Sequence, residues 1–190
     1  NGDEILAFRL EHLYSYVDYF IIVEALETFS GVPKSEYLID KQLPHLYKYV
    51  DKIVVVKVDK TPPRDPSYTF SSNNNPDDWW RERMQREACK SMIAELGRGL
   101  PFIALVGDVD EFPSTSIFAD LDWLYQRTRT PMWLQMDLFY YNFLWKKKYL
   151  WDQFYVLNDN SFFLDHLSQH KIFGNRKNHI YNGWHFSYFM

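Results

Sequence analysis

The chain has 190 residues, of which 46% are hydrophobic, and this composition indicates one folded domain with a sizeable core rather than a disordered protein. Its formal net charge is −4, and apart from Lys146, Lys147 and Lys148 it has no basic cluster, so we expect no nucleic-acid partner. No apolar run approaches the roughly 20 residues that span a bilayer, and we therefore expect no membrane segment within this chain.

The first third of the chain alternates between helical and strand patterns. Apolar residues at helical spacing predict a helix over 4–15, and the run YFIIVEA predicts a buried strand over 19–25. A second helix is predicted over 40–50, and the β-branched run KIVVVKV predicts a strand over 52–58. This order of elements is typical of β/α proteins.

A long polar segment precedes the clearest helix of the sequence. Residues 59–78 are rich in Pro, Ser and Asn and lack periodicity, so we expect a mobile loop. Residues 77–96 open with aspartates suited to helix capping and end before Gly97, which predicts a long helix. Cys89 is the only cysteine of the chain, so it cannot form an internal disulfide, and we interpret it as a small core residue.

The second half begins with a strand and then loses a clear pattern. A strand is predicted over 102–106, a helix over 115–127, and one long or two consecutive strands over 132–145. The rest of the chain, residues 146–190, is rich in aromatic side chains and predicts only one element, a helix near 161–169. No repeat or linker divides the chain, so we expect a single domain over 1–190 with an α/β fold, in which helices flank a mostly parallel central sheet.

The segment GDVDEFP at 107–113 places acidic side chains directly after a buried strand. Ligands of open α/β sheets bind outside the carboxyl ends of strands, and two carboxylates one residue apart, Asp108 and Asp110, can face one Mn²⁺ or Mg²⁺ ion that also binds phosphate oxygens. Two alternatives remain open at this point. The turn can simply cap the next helix, or Asp108 can be the nucleophile of a phosphohydrolase.

Several ordered blocks of the chain resemble glycosyltransferase family 17, the family of the enzyme that adds the bisecting N-acetylglucosamine to the β-mannose of N-glycans. The resemblance covers nearly all of the chain. The blocks are NGDEILAFRLEHLYSYVDYFIIVEALETFSGVPK at 1–34, WWRERMQREA at 79–88, GDVDEFP at 107–113, FLWK at 143–146 and GWHFSYF at 183–189.

The resemblance implies a metal-dependent, inverting glycosyltransferase with a GT-A type fold, the fold of nucleotide-diphospho-sugar transferases. Asp108 and Asp110 match the family's Asp-x-Asp motif, which would hold Mn²⁺ or Mg²⁺ on the diphosphate of a UDP-sugar donor. The donor is expected to be UDP-N-acetylglucosamine and the acceptor a glycan hydroxyl. The chain is shorter than the animal enzymes of the family and shows no membrane anchor, so the identity of the acceptor glycan stays undetermined. The expected location is the cytoplasm for a microbial or viral protein, or the Golgi lumen if an anchor was trimmed.

Further candidates carry less specific signals. His185 is either a third metal ligand, as in GT-A enzymes that close the site with a C-terminal histidine, or a core residue, and Trp184 either stacks on a sugar or packs. Arg83 and Arg86 lie on one helix face and can reach a diphosphate or form helical ion pairs. Glu24, at the carboxyl end of a strand, is a candidate for binding the nucleotide.

The catalytic base is the least defined role. Glu111, which adjoins the metal motif, and Asp152, in the aromatic half, are the candidates that we retain, although Asp137 and Asp165 are also possible because no spacing rule identifies a base. A second function class also remains, in which the chain is a carbohydrate-binding protein on a catalytically inactive transferase fold.

Overall fold

The computed structural model describes residues 2–68, 75–162 and 178–187, which divide between two compact units. Residues 19–98 form one unit, which we call the small-sheet unit. Residues 1–18 and 99–190 form the other, the large-sheet unit. That the whole chain acts as one domain stays a prediction.

The small-sheet unit is built on a parallel pair of strands. β1 (Phe20–Ala25) pairs in parallel with β2 (Ile53–Val58), as the two apolar runs predicted. Parallel neighbours need a crossover connection, which α2 (Leu38–Gln42) and a 3₁₀ helix (Leu43–Lys52) provide. The sheet packs against α3 (Pro76–Leu96).

Local chemistry explains where α3 begins and ends. The side chain of Asn75 accepts a hydrogen bond from the backbone N–H of Asp77, Pro76 takes the first helical position, and Gly97 caps the other end. Cys89 is buried in this helix, and burial raises the pKa of its thiol to about 11. The interpretation of Cys89 as a core residue is therefore confirmed.

The large-sheet unit contains a five-stranded sheet with the strand order β3-β6-β5-β7-β4. Its elements along the chain are α1 (Gly2–Leu13), β3 (Ile103–Val106), β4 (Glu111–Phe112), a 3₁₀ helix (Thr115–Phe118), α4 (Leu121–Arg127), β5 (Met132–Tyr140), β6 (Lys146–Asn158), α5 (Asp159–Phe162) and β7 (His179–Ser187). Within this sheet, β5 and β7 are parallel, whereas the other three pairs are antiparallel. The fold is therefore mixed α/β, with a mixed sheet.

The prediction of a mostly parallel central sheet is wrong for this larger sheet. β5 and β6 are joined by a short turn, in which the backbone N–H of Tyr140 donates to the carbonyl of Trp145 at 3.0 Å. A turn of this length can join only antiparallel strands. The prediction assumed that a helix follows each strand, and this assumption fails in the aromatic half of the chain.

The core of the large-sheet unit lies between one face of the sheet and the segment that follows β4. The predicted helix over 115–127 is broken there, because Asp120 leaves helical geometry and its side chain accepts a hydrogen bond from the N–H of Trp123. The buried apolar residues of this core are Ile117, Leu124, Met132, Leu134, Met136, Phe154 and Val156.

Two expectations reach beyond the described residues. Of the loop predicted over 59–78, residues 59–68 and 75–78 are described, and the prediction is wrong for its last three residues, which belong to α3. Arg64 of this loop binds Asp77 at 2.6 Å, and the mobility of the loop stays a prediction. Of the helix predicted near 161–169, only the end of α5 falls within the described part of the chain. No helix in the described ranges is both long and apolar enough to cross a membrane.

Candidate active site

The acidic turn between β3 and β4 is closed by its own hydrogen bonds. The backbone N–H of Glu111 donates to the carbonyl of Asp108 at 3.1 Å, and the N–H of Asp108 donates to the side chain of Glu111 at 2.6 Å. Gly107 precedes the turn, and a Cβ at this position would overlap the Phe154 ring and the Glu111 carboxylate. The turn therefore needs glycine at this point.

Glu111 is fully buried, unlike the aspartates of the same turn. Its Oε2 accepts the Asp108 hydrogen bond, and its Oε1 accepts a hydrogen bond from the indole Nε1–H of Trp151 on β6. A buried carboxylate is strongly destabilising unless donors satisfy it. Here each oxygen has such a donor.

Arg9 on α1 supplies positive charge to the same turn. Its Nη1 donates to the carbonyl of Asp108 at 2.7 Å and to the carbonyl of Glu111. Burial lowers the pKa of Arg9, while the charges of Glu111, Asp108 and Asp110 act in the opposite direction. A cation of the chain itself thus offsets part of the mutual repulsion of the three carboxylates.

His185 and Asp110 meet at the edge of the sheet. β7 pairs with β4 so that His185 lies opposite Glu111, and the N–H of Phe186 donates to the carbonyl of Asp110 at 2.9 Å. The Nε2 of His185 lies 3.4 Å from Oδ2 of Asp110. The imidazole stacks on the Trp151 indole, with ring centroids 4.4 Å apart and planes 8° apart.

A β-bulge in β7 decides which side chain faces this turn. Between Gln135 and Asp137 β5 advances two residues, whereas β7 advances three, from Tyr181 to Trp184. The extra residue shifts the alternation of side chains by one. As a result His185 shares a face with Glu111, and Trp184, opposite Phe112, lies on the other face and is 38% exposed.

Gly183 makes the bulge possible. Its φ of +92° lies in the left-handed region, which glycine adopts without strain. A Cβ there would overlap the Phe112 carbonyl oxygen and lie 2.8 Å from Cα of Pro113. Asn182 anchors the same stretch, since its Oδ1 accepts a hydrogen bond from the N–H of Ser114 at 2.8 Å.

The acidic turn brings together two side chains of the types that bind divalent cations. Asp110 provides carboxylate oxygen and His185 an imidazole nitrogen within 3.4 Å, and the buried Nδ1 of His185 has no hydrogen-bond partner among the described residues. The described residues contain no group of three His, Cys, Asp or Glu side chains placed to hold a metal, so Asp108 does not join this pair as a third ligand in the structure. Cations that bind phosphates commonly use one or two carboxylates and complete their shell with phosphate oxygens and water.

The other base candidates lie in different surroundings. Asp152 is half-buried at the irregular stretch of β6, where its Oδ1 accepts a hydrogen bond from the Gln153 side chain at 3.0 Å. Asp137 is buried, and its Oδ2 binds Lys146 at 2.7 Å. Asp165 lies outside the described residues.

Glu24, in the small-sheet unit, lies at the end of β1 and lines a cavity. Its carboxylate binds Lys34 at 2.5 Å and accepts hydrogen bonds from the N–H groups of Leu38 and Ile39 at the start of α2. Burial acts to raise the pKa of Glu24, but the hydrogen bonds from Lys34, Ile39 and Leu38 outweigh it, and the pKa is lowered. The cavity has a volume of about 180 Å³ and is lined by Val23, Glu24, Ala25, Glu27, Phe29, Lys34, Glu82 and Gln85.

The arginines of α3 differ from one another in their contacts. Arg86 forms an ion pair with Glu82 one helical turn away, at 3.1 Å. Arg83 lies over the rings of Tyr68 and Trp80, 5.4 and 5.6 Å from their centroids. Arg81, which the sequence did not single out, donates to the carbonyl of Phe29 at 3.1 Å and to Asp78 at 2.8 Å.

The sequence interpretation missed two residues of the acidic turn's surroundings. Arg9 belongs to the Arg-Leu pair of the opening block, which was a signal for the family but not for a contact about one hundred residues away. Trp151 stands in an aromatic run with no local mark that distinguishes it from its neighbours. Both contacts depend on long-range pairing, which local periodicity does not predict.

Comparison with known proteins agrees with the five sequence blocks. The family model described as Glycosyltransferase family 17 matches residues 1–190, the whole chain. No curated protein and no solved structure matches the chain.

The chain is therefore an enzyme of the glycosyltransferase class, with a sugar donor and an acceptor as substrates. It belongs to glycosyltransferase family 17. This membership selects a glycosyltransferase over the phosphohydrolase alternative.

Proposed function

We propose that this glycosyltransferase transfers N-acetylglucosamine from UDP-N-acetylglucosamine to a glycan hydroxyl with inversion, on a GT-A type fold, with Mn²⁺ or Mg²⁺ at the acidic turn. The observation that carries the proposal is the pair of Asp110 and His185, held 3.4 Å apart beside a turn that follows a buried strand. Carboxylate and imidazole side chains on such a turn offer the oxygen and nitrogen ligands of a divalent cation that also binds phosphate oxygens.

Asp110 and His185 would hold the cation directly, and Asp108 of the same turn would contribute through a water molecule. When bound, the cation would neutralise the negative charge that develops on the leaving diphosphate. The chain's own residues fix the turn, because Arg9 holds the carbonyls of Asp108 and Glu111. Trp184 remains a proposed sugar contact from the opposite face of β7.

The reaction balances as a single displacement. The acceptor oxygen forms a bond to the anomeric carbon while the bond from that carbon to the phosphate oxygen breaks, and UDP leaves from the opposite face. The hydroxyl proton passes to a carboxylate base. Between the two retained candidates the contacts favour Asp152, since Glu111 is fully buried and both of its oxygens already accept hydrogen bonds.

Nucleotide recognition is proposed for the small-sheet unit. Glu24 lines the 180 Å³ cavity at the end of β1, where a carboxylate can accept hydrogen bonds from ribose hydroxyls or from a base. The contact of Arg83 and Arg86 with a diphosphate stays a prediction from the sequence. The guanidinium of Arg83 lies over the rings of Tyr68 and Trp80.

Calorimetry tests this proposal. UDP and UDP-N-acetylglucosamine are titrated into the wild type with and without Mn²⁺, and into Asp110→Ala. We expect binding that depends on Mn²⁺ and is lost in Asp110→Ala. Asp122→Ala changes an exposed aspartate on α4 and serves as the matched control, with binding unchanged. Absence of nucleotide binding with Mn²⁺, and in a repeat titration with Mg²⁺, would contradict the proposed donor.

A further inference from the structure

Glu111 has the contacts of a structural carboxylate rather than those of a proton acceptor. It is 0% exposed, and its two oxygens accept hydrogen bonds from the Asp108 backbone and from the Trp151 indole. A general base must come within hydrogen-bond reach of the proton that it removes. Neither oxygen of Glu111 presents a surface for an acceptor hydroxyl.

Trp151 links Glu111 to His185. Its indole N–H binds Glu111, and its ring lies parallel to the imidazole at a centroid distance of 4.4 Å. A histidine that binds a metal usually has its second nitrogen fixed by a hydrogen bond, which sets the plane of the ring. In the described residues Nδ1 of His185 has no such partner, so the stacked indole is the contact that defines the plane of the imidazole.

The same carboxylate also shapes the acidic turn. It accepts the N–H of Asp108, the first residue of the Asp-x-Asp motif, while Arg9 holds the carbonyls of Asp108 and Glu111 from the other side. The Glu111 side chain therefore joins the two structural parts of the candidate metal site. One part is the turn that carries Asp108 and Asp110, and the other is the strand that carries His185.

We propose that Glu111 is a positioning residue, which acts through Trp151 to orient His185 toward Asp110 and through the Asp108 N–H to shape the turn. The part of this inference that concerns metal affinity rests on the proposed function. The part that concerns the imidazole does not, because the contacts among Glu111, Trp151 and His185 exist in the chain itself.

Three variants separate a positioning role from a base role. Glu111→Gln replaces one accepting oxygen with an NH2 group, which only donates, so either the Asp108 or the Trp151 hydrogen bond is lost. Trp151→Phe keeps a flat ring but removes the indole N–H, and Trp151→Leu removes the stack. Trp151→Leu leaves Glu111 in place, so it carries the test if Glu111→Gln does not fold. Trp123→Leu, a change at an exposed tryptophan on α4, is the control.

The first measurement is the affinity for Mn²⁺ alone, from the electron paramagnetic resonance signal of the free ion. We expect Glu111→Gln and Trp151→Leu each to weaken binding about 10–100-fold, the range found when groups that orient metal ligands are removed. Trp151→Phe is expected to lie between these variants and the wild type. The effects of Glu111→Gln and Trp151→Leu should be far from additive in the double variant, since both act on His185.

Enzyme kinetics then distinguish the two roles. For a positioning residue, the kcat of Glu111→Gln recovers toward the wild-type value as Mn²⁺ is raised to saturation. For a base, kcat stays low at any Mn²⁺ concentration while the affinity for Mn²⁺ is unchanged. This second result would overturn the inference.

A metal-free measurement keeps the inference separate from the proposed function. The His185 ring protons should show an upfield ring-current shift from the Trp151 indole in NMR spectra, with the signal assigned by its loss in His185→Gln. We expect the shift to decrease in Glu111→Gln. If the wild type binds no Mn²⁺, the proposed metal site fails, yet this shift still tests the positioning role. An unchanged shift in Glu111→Gln would refute it.

Discussion

The two units each place a glutamate at the edge of their sheet, but they satisfy its charge in different ways. Glu24 of the small-sheet unit pairs with the flexible cation Lys34 and with N–H groups at a helix start, and its side chain remains 14% exposed beside a cavity. Glu111 of the large-sheet unit is fully buried and bound by an indole and a backbone N–H. A ligand can approach Glu24 from the cavity, whereas Glu111 joins the acidic turn to β6 through its two hydrogen bonds.

The glycines show the same contrast in backbone terms. Gly183 and Gly31 both have positive φ, +92° and +82°. A Cβ at Gly183 would meet the backbone of Phe112 and Pro113, whereas one at Gly31 would meet the guanidinium of Arg81, about 2.5 Å away. A side chain can move aside, but a paired strand cannot. The large-sheet unit is therefore expected to tolerate less change at its bulge.

The largest expected effect is that of Gly183→Ala. Left-handed φ adds roughly 1–2 kcal/mol for a residue with a Cβ, and overlap with backbone adds about 1–3 kcal/mol, so we expect a loss of about 2–5 kcal/mol in the free energy of unfolding. Hydrogen exchange should show the loss in β4 and β7, with β1 and β2 unaffected. Equal deprotection of all four strands would contradict the contrast.

Gly31→Ala is expected to have a smaller effect. The same conformational term applies, but Arg81 can shift at the expense of its hydrogen bond to the Phe29 carbonyl, for a total of about 1–3 kcal/mol. Gly99→Ala is the control, since φ is +75° there and no atom lies within 4 Å of the added Cβ. We expect the order Gly183, Gly31, Gly99 in urea unfolding. If Gly99→Ala lost as much free energy of unfolding as Gly183→Ala, the positive φ alone, and not the overlap of the added Cβ, would account for the loss.

Glu24→Gln tests the pH dependence of the small-sheet unit. The folded pKa of Glu24 lies below its usual value, so its carboxylate adds stability above the unfolded pKa, and this stability is lost as pH falls through the folded pKa. We expect the variant to lose about 1.5–3 kcal/mol in the free energy of unfolding at pH 7, the range for hydrogen bonds to charged groups. The loss should vanish in acid. Thermal unfolding from pH 7 to 2 measures both, and a loss that persists at pH 2 would exclude this origin.

The smallest expected effect is that of Lys41→Ala. Lys41 pairs with Glu36 at 2.6 Å, but the two side chains are 62% and 51% exposed. Solvent-exposed pairs contribute little, so we expect a change of about 0.5 kcal/mol or less in the free energy of unfolding. The matched change Lys34→Ala removes the partner of Glu24 and should have the larger effect. Equal effects would show that burial of Glu24 adds nothing to its ion pair.

Local patterns in the sequence predicted most elements and the position of the acidic turn. The strands over 20–25, 53–58 and 103–106 follow from apolar and β-branched runs, and Asp108 and Asp110 follow from their place after the last of these. Neither β6 nor β7 was predicted, and β6 opens with three exposed lysines that carry no strand signal. The stack of Trp151 on His185 depends on two irregular registers, of which only the one in β7 is marked in the sequence, by Gly183.

The bulge in β7 makes a backbone conformation, rather than the identity of the histidine alone, the condition for an imidazole at the acidic turn. If the same residues of β7 alternated regularly from Tyr181 onward, His185 would take the opposite face and Trp184 would present an indole to Asp110 instead. A relative could thus retain Trp and His at these two positions and still lose the histidine from its site if it cannot form the bulge. Sequence comparisons within the family should therefore count the glycine before the tryptophan as part of the site.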